Sequence, residues 1–315
     1  AKRQEFVVSR GHVLELLRVD AETGRVVTVT STDVFGVIRS LVRFRIHGQE
    51  IDHVVVGSDA GKLVVLRYSD REDGGGGEFA VVVDETYGKS GCRRVVPGQF
   101  VAADPRGRAV MVAGLEKQKF VYLLDRADEK VTVGSPLEAH KSGVIVFDVV
   151  GVDVGFDHPV FAAIELDYVD ADSDPSGAAA AAATKQLVHY ELDLGVNTVT
   201  RKWSRETDRG ANALLQVPGG GAGATADGPG GVLVLCESWV LFESPKQATL
   251  RTPLPRRAGV PDERGLLITA ATVFRRKAGV FFFLLLSELG DLYKATLEYD
   301  AATGVVSDLV VQYLD

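Results

Sequence analysis

The sequence predicts an all-β protein built from a repeated small sheet. β-Branched residues and glycines dominate its 315 residues, and long helical periodicity is lacking. Short apolar runs recur in pairs, and a turn-forming sequence separates the two members of most pairs, which is typical of β-hairpins. The six predicted hairpins occupy residues 6–17, 54–66, 110–123, 160–190, 232–242 and 281–294.

The hairpins recur at a nearly constant interval. Their starts at 6, 54, 110, 160, 232 and 281 are separated by 48, 56, 50, 72 and 49 residues, and such regularity indicates structural repeats. Further strand-like runs lie between the hairpins, at 26–34, 37–46, 79–83 and 144–152. Together these give about four strands per repeat, the content of a β-propeller blade. An α-solenoid is excluded because it needs two helices per repeat.

Each predicted hairpin is identified by the sequence that connects its two strands. In chain order the turns fall at Arg10-Gly11, Ser58–Gly61, Leu115–Gln118, a long insertion after Ile164, Glu237-Ser238, and Glu288–Asp291. Glycine, serine and aspartate favour such turns. Low-complexity stretches at 70–77, 170–185 and 219–231 are predicted to be loop insertions in a single domain spanning 1–315. Because alanine favours helices, a short helix at 178–185 is the alternative for part of the second insertion.

Composition excludes several classes of protein. With 35 Lys and Arg against 43 Asp and Glu, the net charge of −8 disfavours strong RNA or DNA binding, which needs a basic surface. Two cysteines cannot form a disulfide framework, which favours a reducing compartment. No apolar run approaches the length of about 18 residues that a membrane helix needs. The only methionine is Met111, so we expect a fragment or a processed chain.

Two motifs resemble ligand sites but are incomplete. Gly88-Lys89-Ser90 matches the end of a phosphate-binding P-loop, but position 83 holds valine where that loop needs glycine. Asp170, Asp172 and Asp174 match the first ligands of a calcium loop, but Pro175 and Ala181 occupy the positions of its required glycine and glutamate. We interpret both segments as solvated loops.

Catalytic and metal-binding patterns are also lacking in the sequence. The six histidines show no metal-ligand spacing, and neither Cys-x-x-Cys nor Gly-x-Ser-x-Gly occurs. We therefore predict no catalytic residue, cofactor or metal, and no enzyme. A propeller hydrolase or lactonase with a metal in its channel remains a remote alternative.

The segment from Tyr87 to Gln99 is the strongest candidate for binding a partner. It combines glycines with cations and a thiol, and strands are predicted on both sides of it, which suits docking of an acidic or extended partner. The candidate residues here are Lys89, Ser90, Gly91, Cys92, Arg93, Arg94 and Pro97. Cys92 is interpreted as a small packing residue. The basic clusters at 256–257 and 275–277 are interpreted as solvated faces, whereas Arg264 and Glu288 lie on turns as candidate rim charges.

Several longer motifs support a resemblance to a known family. They are Phe35–Leu41, Val55–Asp59, Gly88–Gln99, Asp104–Met111, Glu116–Lys119, Ser135–Lys141, Val150–Phe156 and Tyr190–Gly195. From about Glu5 to about Tyr313, the chain resembles the splicing factor 3B subunit 3 family of triple-propeller proteins. Wider relatives are the damage-binding adaptor of cullin ubiquitin ligases and the large subunit of the cleavage and polyadenylation specificity factor, which are the alternatives on the same fold.

The resemblance implies a seven-bladed, WD40-like propeller, the first of three, without its opening strand and closing blade. It implies a nuclear, non-enzymatic scaffold for pre-mRNA splicing within the particle that recognises the branch site. The implied partners are a HEAT-repeat subunit, a small ten-kilodalton-class subunit and a PHD-finger-like zinc subunit, with weak or indirect RNA contact and no membrane.

The family's contact regions correspond to three segments and two isolated positions. The segments are Glu85–Gln99, Asp125–Phe147 and Asp172–Arg209, and the positions lie near Gly265 and Glu288. The resemblance thus adds Glu138, His140, Lys141 and Gly265 to the candidate contacts. The alanine tract departs from the family pattern in the third segment.

Overall fold

A computed structural model describes residues 5–70, 77–88, 95–127, 130–221, 227–261, 263–277 and 279–314. These residues form six antiparallel sheets and two short helices, in agreement with the predicted all-β class. The chain divides into two compact units. Unit 1 contains residues 1–103 and 107–142, and unit 2 contains residues 104–106 and 143–315.

Unit 1 contains three sheets whose main strand order follows the chain. Sheet I consists of β1 (Glu5–Arg10), β2 (Val13–Val19) and β3 (Val26–Asp33). Sheet II consists of β4 (Ile38–Arg45), β5 (Asp52–Ser58), β6 (Lys62–Asp70) and β7 (Gly77–Thr86). Sheet III consists of β8 (Phe100–Ala103), β9 (Ala109–Ala113), β10 (Lys119–Ala127) and β11 (Lys130–Val133), and β12 (Leu137–Glu138) also pairs with β10.

Unit 2 contains three four-stranded sheets. Sheet IV consists of β13 (Val144–Val152), β14 (Val160–Asp167), β15 (Lys185–Asp193) and β16 (Thr198–Glu206), with α1 (Val169–Ser173) and α2 (Ala178–Ala182) between β14 and β15. Sheet V consists of β17 (Ala213–Gln216), β18 (Val232–Cys236), β19 (Trp239–Glu243) and β20 (Leu250–Pro253). Sheet VI consists of β21 (Ile268–Lys277), β22 (Val280–Ser287), β23 (Leu292–Tyr299) and β24 (Val306–Leu314). Neither α1 nor α2, the helices of the described residues, has the length and apolar character of a membrane span.

The central strands bury side chains on both faces, which explains their uninterrupted apolar runs. In β5, Val54 and Val56 join an apolar cluster with Leu14 and Leu16 of sheet I. Val55 points to the other face and joins residues of sheet III. Because successive side chains of a strand alternate between faces, a sheet covered on both sides needs apolar residues at every position.

Unit 2 repeats this packing around sheet V. Val232 and Val234 of β18 contact the cluster shared with sheet IV, whereas Leu233 and Leu235 join the cluster shared with sheet VI. All four residues have 0 or 1% of their surface exposed. Stacking of neighbouring sheets through such clusters is the main source of stability in a repeated-sheet protein.

The strands depart from the predicted pattern in a few places. Sheet I has three strands among the described residues, one fewer than the predicted four per repeat. The short strand β12 was not predicted. The runs predicted at 26–34, 37–46 and 144–152 correspond to β3, β4 and β13, and that at 79–83 lies within the longer β7.

The insertions differ from simple loops. Residues 170–185 include most of α1 and all of α2, where Asp174 accepts a hydrogen bond from the backbone N–H of Ala179 at 2.7 Å. In the 219–231 insertion, Gly219 forms a β-bridge with Pro229, so its described ends are paired. Most of the 70–77 insertion lies outside the described residues.

Asp148 links sheets IV and V through its carboxylate. It follows a register shift in β13, and its Oδ2 accepts a hydrogen bond from the backbone N–H of Leu214 at 2.7 Å. Its Oδ1 accepts from the N–H of Val149 at 2.8 Å. Burial raises the pKa of Asp148 to about 6, although both hydrogen bonds act to lower it.

We expect Asp148→Asn to change how stability depends on pH. A carboxyl whose pKa is raised on folding destabilises the fold progressively as pH rises from its ordinary value of 3.8 to about 6. The free energy of unfolding of the variant, relative to that of the parent, should therefore increase by about 2–3 kcal/mol between these limits, which means that the variant gains stability over the parent. Urea titrations at several pH values measure this difference. An exposed carboxylate on α1 provides the matched control, Asp170→Asn, and equal pH dependence of the two variants would contradict the account.

Candidate functional site

Four connections of unit 2 form one continuous loop surface. They are residues 207–212 after β16, the turn at 237–238, residues 254–267 between β20 and β21 excluding 262, and the turn at 287–291. The Glu237 N–H donates to the carbonyl oxygen of Gly210 at 3.1 Å, and the Ser238 N–H donates to that of Leu266 at 2.8 Å. The Glu288 N–H donates to the carbonyl oxygen of Leu267 at 2.9 Å. Backbone hydrogen bonds therefore fix these connections to one another.

A cleft of about 500 Å³ opens within the loop surface. Two glycines allow its walls to approach. A Cβ on Gly210 would lie 2.7 Å from the Cβ of Glu237, and a Cβ on Gly265 would collide with the Glu237 carboxylate. Gly265, predicted as a contact residue, thus also has a packing role that only glycine fills without displacing its neighbour.

Several charged groups at and beside the cleft are already paired. Arg256 donates to the Ser238 hydroxyl oxygen at 3.0 Å and to the Pro261 carbonyl oxygen at 3.0 Å. Arg257 lies 3.4 Å from the buried carboxylate of Asp291. The interpretation of the 256–257 pair as a solvated face is therefore incomplete, because Arg257 is exposed but both guanidinium groups also bind residues of the loop surface.

Two neighbouring charges on the loop surface remain available for a partner. The side chains of Glu263 and Arg264 line the cleft and make no hydrogen bond or ion pair to any described residue. Both residues are exposed, as is the predicted rim residue Glu288. A rigid loop surface with exposed charges of both signs suits pairing with a complementary protein surface.

The insertion of sheet IV also contacts the loop surface. Arg209 donates from Nη2 to the carbonyl oxygen of Ala181 in α2 at 2.7 Å. Asp208 lies 3.3 Å from Arg251, whose guanidinium packs 3.8 Å from the centre of the Trp239 ring. Arg209, at the end of one predicted contact segment, thus lies beside Arg264 and Gly265 in the same cleft.

The basic loop predicted to bind a partner lies mainly outside the described residues. This applies to Lys89, Ser90, Gly91, Cys92, Arg93 and Arg94. The described flanks are anchored: the N–H groups of Tyr87 and Gly88 donate to the Gly61 carbonyl oxygen, and the Leu115 N–H donates to that of Val95. Pro97, also predicted as a contact residue, is buried in unit 1.

The remaining predicted contacts lie in unit 1 at the β12 segment. Glu138 and His140 are exposed, and His140 Nδ1 lies 3.9 Å from Glu138 Oε2. Lys141 is exposed beside them. Pairing of β12 with β10 and the hydrogen bond from the Ala139 N–H to the Lys119 carbonyl oxygen fix this segment. It therefore presents charged side chains from a fixed backbone.

Two buried groups show how environment suppresses reactivity. Burial raises the pKa of the Cys236 thiol to about 12, so the nucleophilic thiolate is not populated at neutral pH. Burial and the Arg205 charge lower the pKa of His189 to about 4, so this imidazole is neutral. Among the described residues, no three His, Cys, Asp or Glu side chains converge as a metal site.

Sequence reasoning missed most of the cleft. Glu237 and Glu263 were not singled out, because isolated acidic residues on turns resemble any solvated charge. Only the folded chain places them beside Arg209 and Arg264, which lie 28 and 27 residues from Glu237 in the sequence.

Comparison with known proteins agrees with the structure. The family model described as the RSE1/DDB1/CPSF1 first beta-propeller matches residues 1–315. Spliceosome-associated protein 130 A of Arabidopsis thaliana is 51% identical over 315 residues, which cover 100% of this chain and 25% of that protein. Splicing factor 3B subunit 3 of Danio rerio is 48% identical over 318 residues, and the match covers 100% of this chain and 25% of that protein. Pre-mRNA-splicing factor RSE1 of Mycosarcoma maydis is 46% identical over 321 residues, with 100% and 26% covered.

The repeated antiparallel sheets, packed through both faces and connected by fixed loops, define a β-propeller protein. The chain spans about a quarter of the length of these relatives. It belongs to the RSE1/DDB1/CPSF1 first β-propeller family, which confirms the resemblance inferred from its motifs.

Proposed function

We propose that the chain is a non-enzymatic, protein-binding propeller of a nuclear splicing factor 3B complex, acting in pre-mRNA splicing. The observation that carries this proposal is the match of all 315 residues to a first-propeller family, together with 46–51% identity to relatives named as splicing or spliceosome-associated proteins. Those names describe membership of the splicing machinery rather than a chemical reaction.

The splicing role is favoured over the two alternatives on the same fold. The family description also includes DDB1 and CPSF1, so the fold alone supports a ubiquitin-ligase adaptor or a polyadenylation factor equally well. The relatives from Arabidopsis thaliana, Danio rerio and Mycosarcoma maydis all carry splicing names.

The form of the molecule supports scaffolding. Its loops are fixed by backbone hydrogen bonds on stacked sheets, so little conformational entropy is lost when a partner docks. We propose three partners: the HEAT-repeat subunit, the small ten-kilodalton-class subunit and the PHD-finger-like zinc subunit. The proposed contacts are Glu263 and Arg264, whose side chains have no partner among the described residues, and the segment that contains Arg93 and Arg94, whose described flanks are anchored.

Arg264→Glu in the full-length protein is expected to weaken capture of the HEAT-repeat subunit by about tenfold, because it places like charges beside Glu263 and alters pairing across the interface. Quantitative pull-down from nuclear extract measures this. Arg201→Glu, which changes an exposed cation of β16 in the same unit, is the matched control and should have little effect.

Arg93→Glu combined with Arg94→Glu tests the second contact separately. Undiminished capture by both variants would exclude these charges as contacts. Failure of the parent protein to capture any splicing factor 3B subunit, or capture of a cullin instead, would exclude the proposed function itself.

A further inference from the structure

A second charged site lies in unit 2, apart from the loop surface. Described residues of four segments meet around a pocket of about 310 Å³. They belong to residues 105–106, the start of the β13–β14 connection, the two ends of the β17–β18 connection, and the end of β21 with the start of β22. We call this the basic pocket. Its charged lining residues are Arg106, Asp153, Asp227, Arg275, Arg276 and Lys277.

The basic pocket has an excess of positive charge. Four cations and two carboxylates leave a local balance of two positive charges in a chain whose net charge is −8. The Asp153 side chain is 4% exposed, and it already accepts hydrogen bonds from the backbone N–H groups of Gly155 at 3.1 Å and Gly219 at 3.0 Å. Much of its charge is therefore satisfied by the backbone rather than by the cations.

Arg106 is only loosely paired. Its Nη2 lies 3.4 Å from Asp153 and 3.6 Å from Asp227, whereas charge-assisted hydrogen bonds are typically about 2.7–2.9 Å. Its Nε–H is buried and has no hydrogen-bond acceptor among the described residues. An unsatisfied buried donor is costly, and an anion that accepts from it would remove that cost.

The cations at the end of β21 also lack close carboxylate partners among the described residues. Arg275 donates to the neutral side-chain oxygen of Gln216 at 3.0 Å. Desolvation is the largest cause that lowers the pKa of Arg275, and the positive charge of Arg106 lowers it further. The carboxylates of Asp153 and Asp227 act in the opposite direction and raise it. The side chains of Arg276 and Lys277 make no hydrogen bond or ion pair to any described residue. The interpretation of 275–277 as a solvated face is therefore incomplete, because these residues share a pocket with Arg106.

We propose that the basic pocket binds a phosphomonoester dianion, presented on a phosphorylated serine or threonine of a protein partner. The charge of such a dianion matches the local excess of two, and guanidinium groups bind phosphate oxygens through paired N–H donors. The volume lies at the lower limit of ligand pockets, which suits one phosphorylated side chain. A nucleic-acid backbone is disfavoured because its many phosphates would be repelled by a chain whose net charge is −8.

The proposal goes beyond the splicing function and does not depend on it. The test uses the full-length protein and a fluorescein-labelled short peptide with one phosphoserine among glycines and serines, followed by fluorescence polarisation. We expect the phosphorylated peptide to bind at least about tenfold more tightly than its unphosphorylated form. Inorganic phosphate should compete, whereas a short oligouridylate should compete less well than the phosphopeptide.

Two variants locate the binding. Arg276→Glu combined with Lys277→Glu should weaken phosphopeptide binding by at least about tenfold, and these exposed positions leave the core unchanged. Lys246→Glu, an exposed cation of the same unit outside the basic pocket, is the control and should alter binding by less than about twofold. Absent or phosphate-independent binding, equal loss in the control, or stronger binding of oligouridylate would overturn the proposal.

Discussion

Phe283→Ala is expected to lower the free energy of unfolding by about 3–5 kcal/mol, the largest loss we expect from a single substitution. Phe283 is fully buried in β22, in the apolar cluster where sheets V and VI stack. Its ring packs edge-on against Phe281, with centroids 5.8 Å apart. Truncation removes this contact and leaves a cavity that the rigid sheets fill only in part.

Urea unfolding of the 315-residue chain measures this loss. Both tryptophans, Trp203 and Trp239, lie in sheets IV and V, so their fluorescence reports on this region. Phe274→Ala is the control, because Phe274 is 50% exposed on β21 and its loss should cost less than about 1 kcal/mol. Equal losses for the two variants would show that sheets V and VI do not stack as described.

Arg205→Ala should lower the free energy of unfolding by about 3 kcal/mol at neutral pH. Arg205 of β16 donates from Nη1 to the carboxylate of Glu243 at the end of β19, over 2.8 Å, and so links sheets IV and V. Glu243 is 1% exposed, and its other oxygen accepts from the Thr249 hydroxyl at 2.8 Å. Removing the arginine leaves a buried carboxylate without its counter-charge. We expect a loss at the lower end of the range usual for breaking a buried ion pair, because the Arg205 side chain is 30% exposed.

The loss caused by Arg205→Ala should depend on pH. Burial already raises the pKa of Glu243, while its bonds to Thr249 and Arg205 hold it down. Without Arg205 the pKa rises further, and a carboxyl with a raised folded-state pKa destabilises the fold more as pH rises. The deficit should therefore be smaller near about pH 5 than near about pH 7. Adding Glu243→Gln should recover part of the loss, whereas Arg201→Ala in the same strand should cost little. A pH-independent deficit would contradict this account of the pair.

The fold was predictable because its strongest signal is local. Sheets covered on both faces require apolar residues at every strand position, so runs such as Val232–Leu235 stand out from the intervening turns. The positions of α1 and β12 carried no such signal. The alanine tract favoured a helix only by propensity, and in the folded chain the carboxylate of Asp174 also accepts a hydrogen bond from the backbone N–H of Ala179 in α2.

The candidate site was less predictable because it depends on distant residues. The sequence identifies Arg264 and Glu288 as charges on turns. Their place on one surface depends on backbone hydrogen bonds made by Ser238 and Leu267, which join connections that are distant in the sequence. The basic residues that the sequence alone marks as solvated fall into two groups in the structure. Some, such as Arg257, bind other residues of the fold, whereas others, such as Arg276, have a side chain without a partner among the described residues.

Crosslinking mass spectrometry of the full-length protein within its native complex tests the central claim most directly. A lysine-reactive reagent can report on Lys89 and Lys141, which lie in the two proposed contact segments of unit 1. We expect crosslinks from these lysines to the HEAT-repeat subunit, the small ten-kilodalton-class subunit or the PHD-finger-like zinc subunit. Crosslinks found only to a cullin or to polyadenylation factors would contradict the proposed splicing role. Complete modification of both lysines by the reagent without a crosslink to any splicing protein would also contradict it.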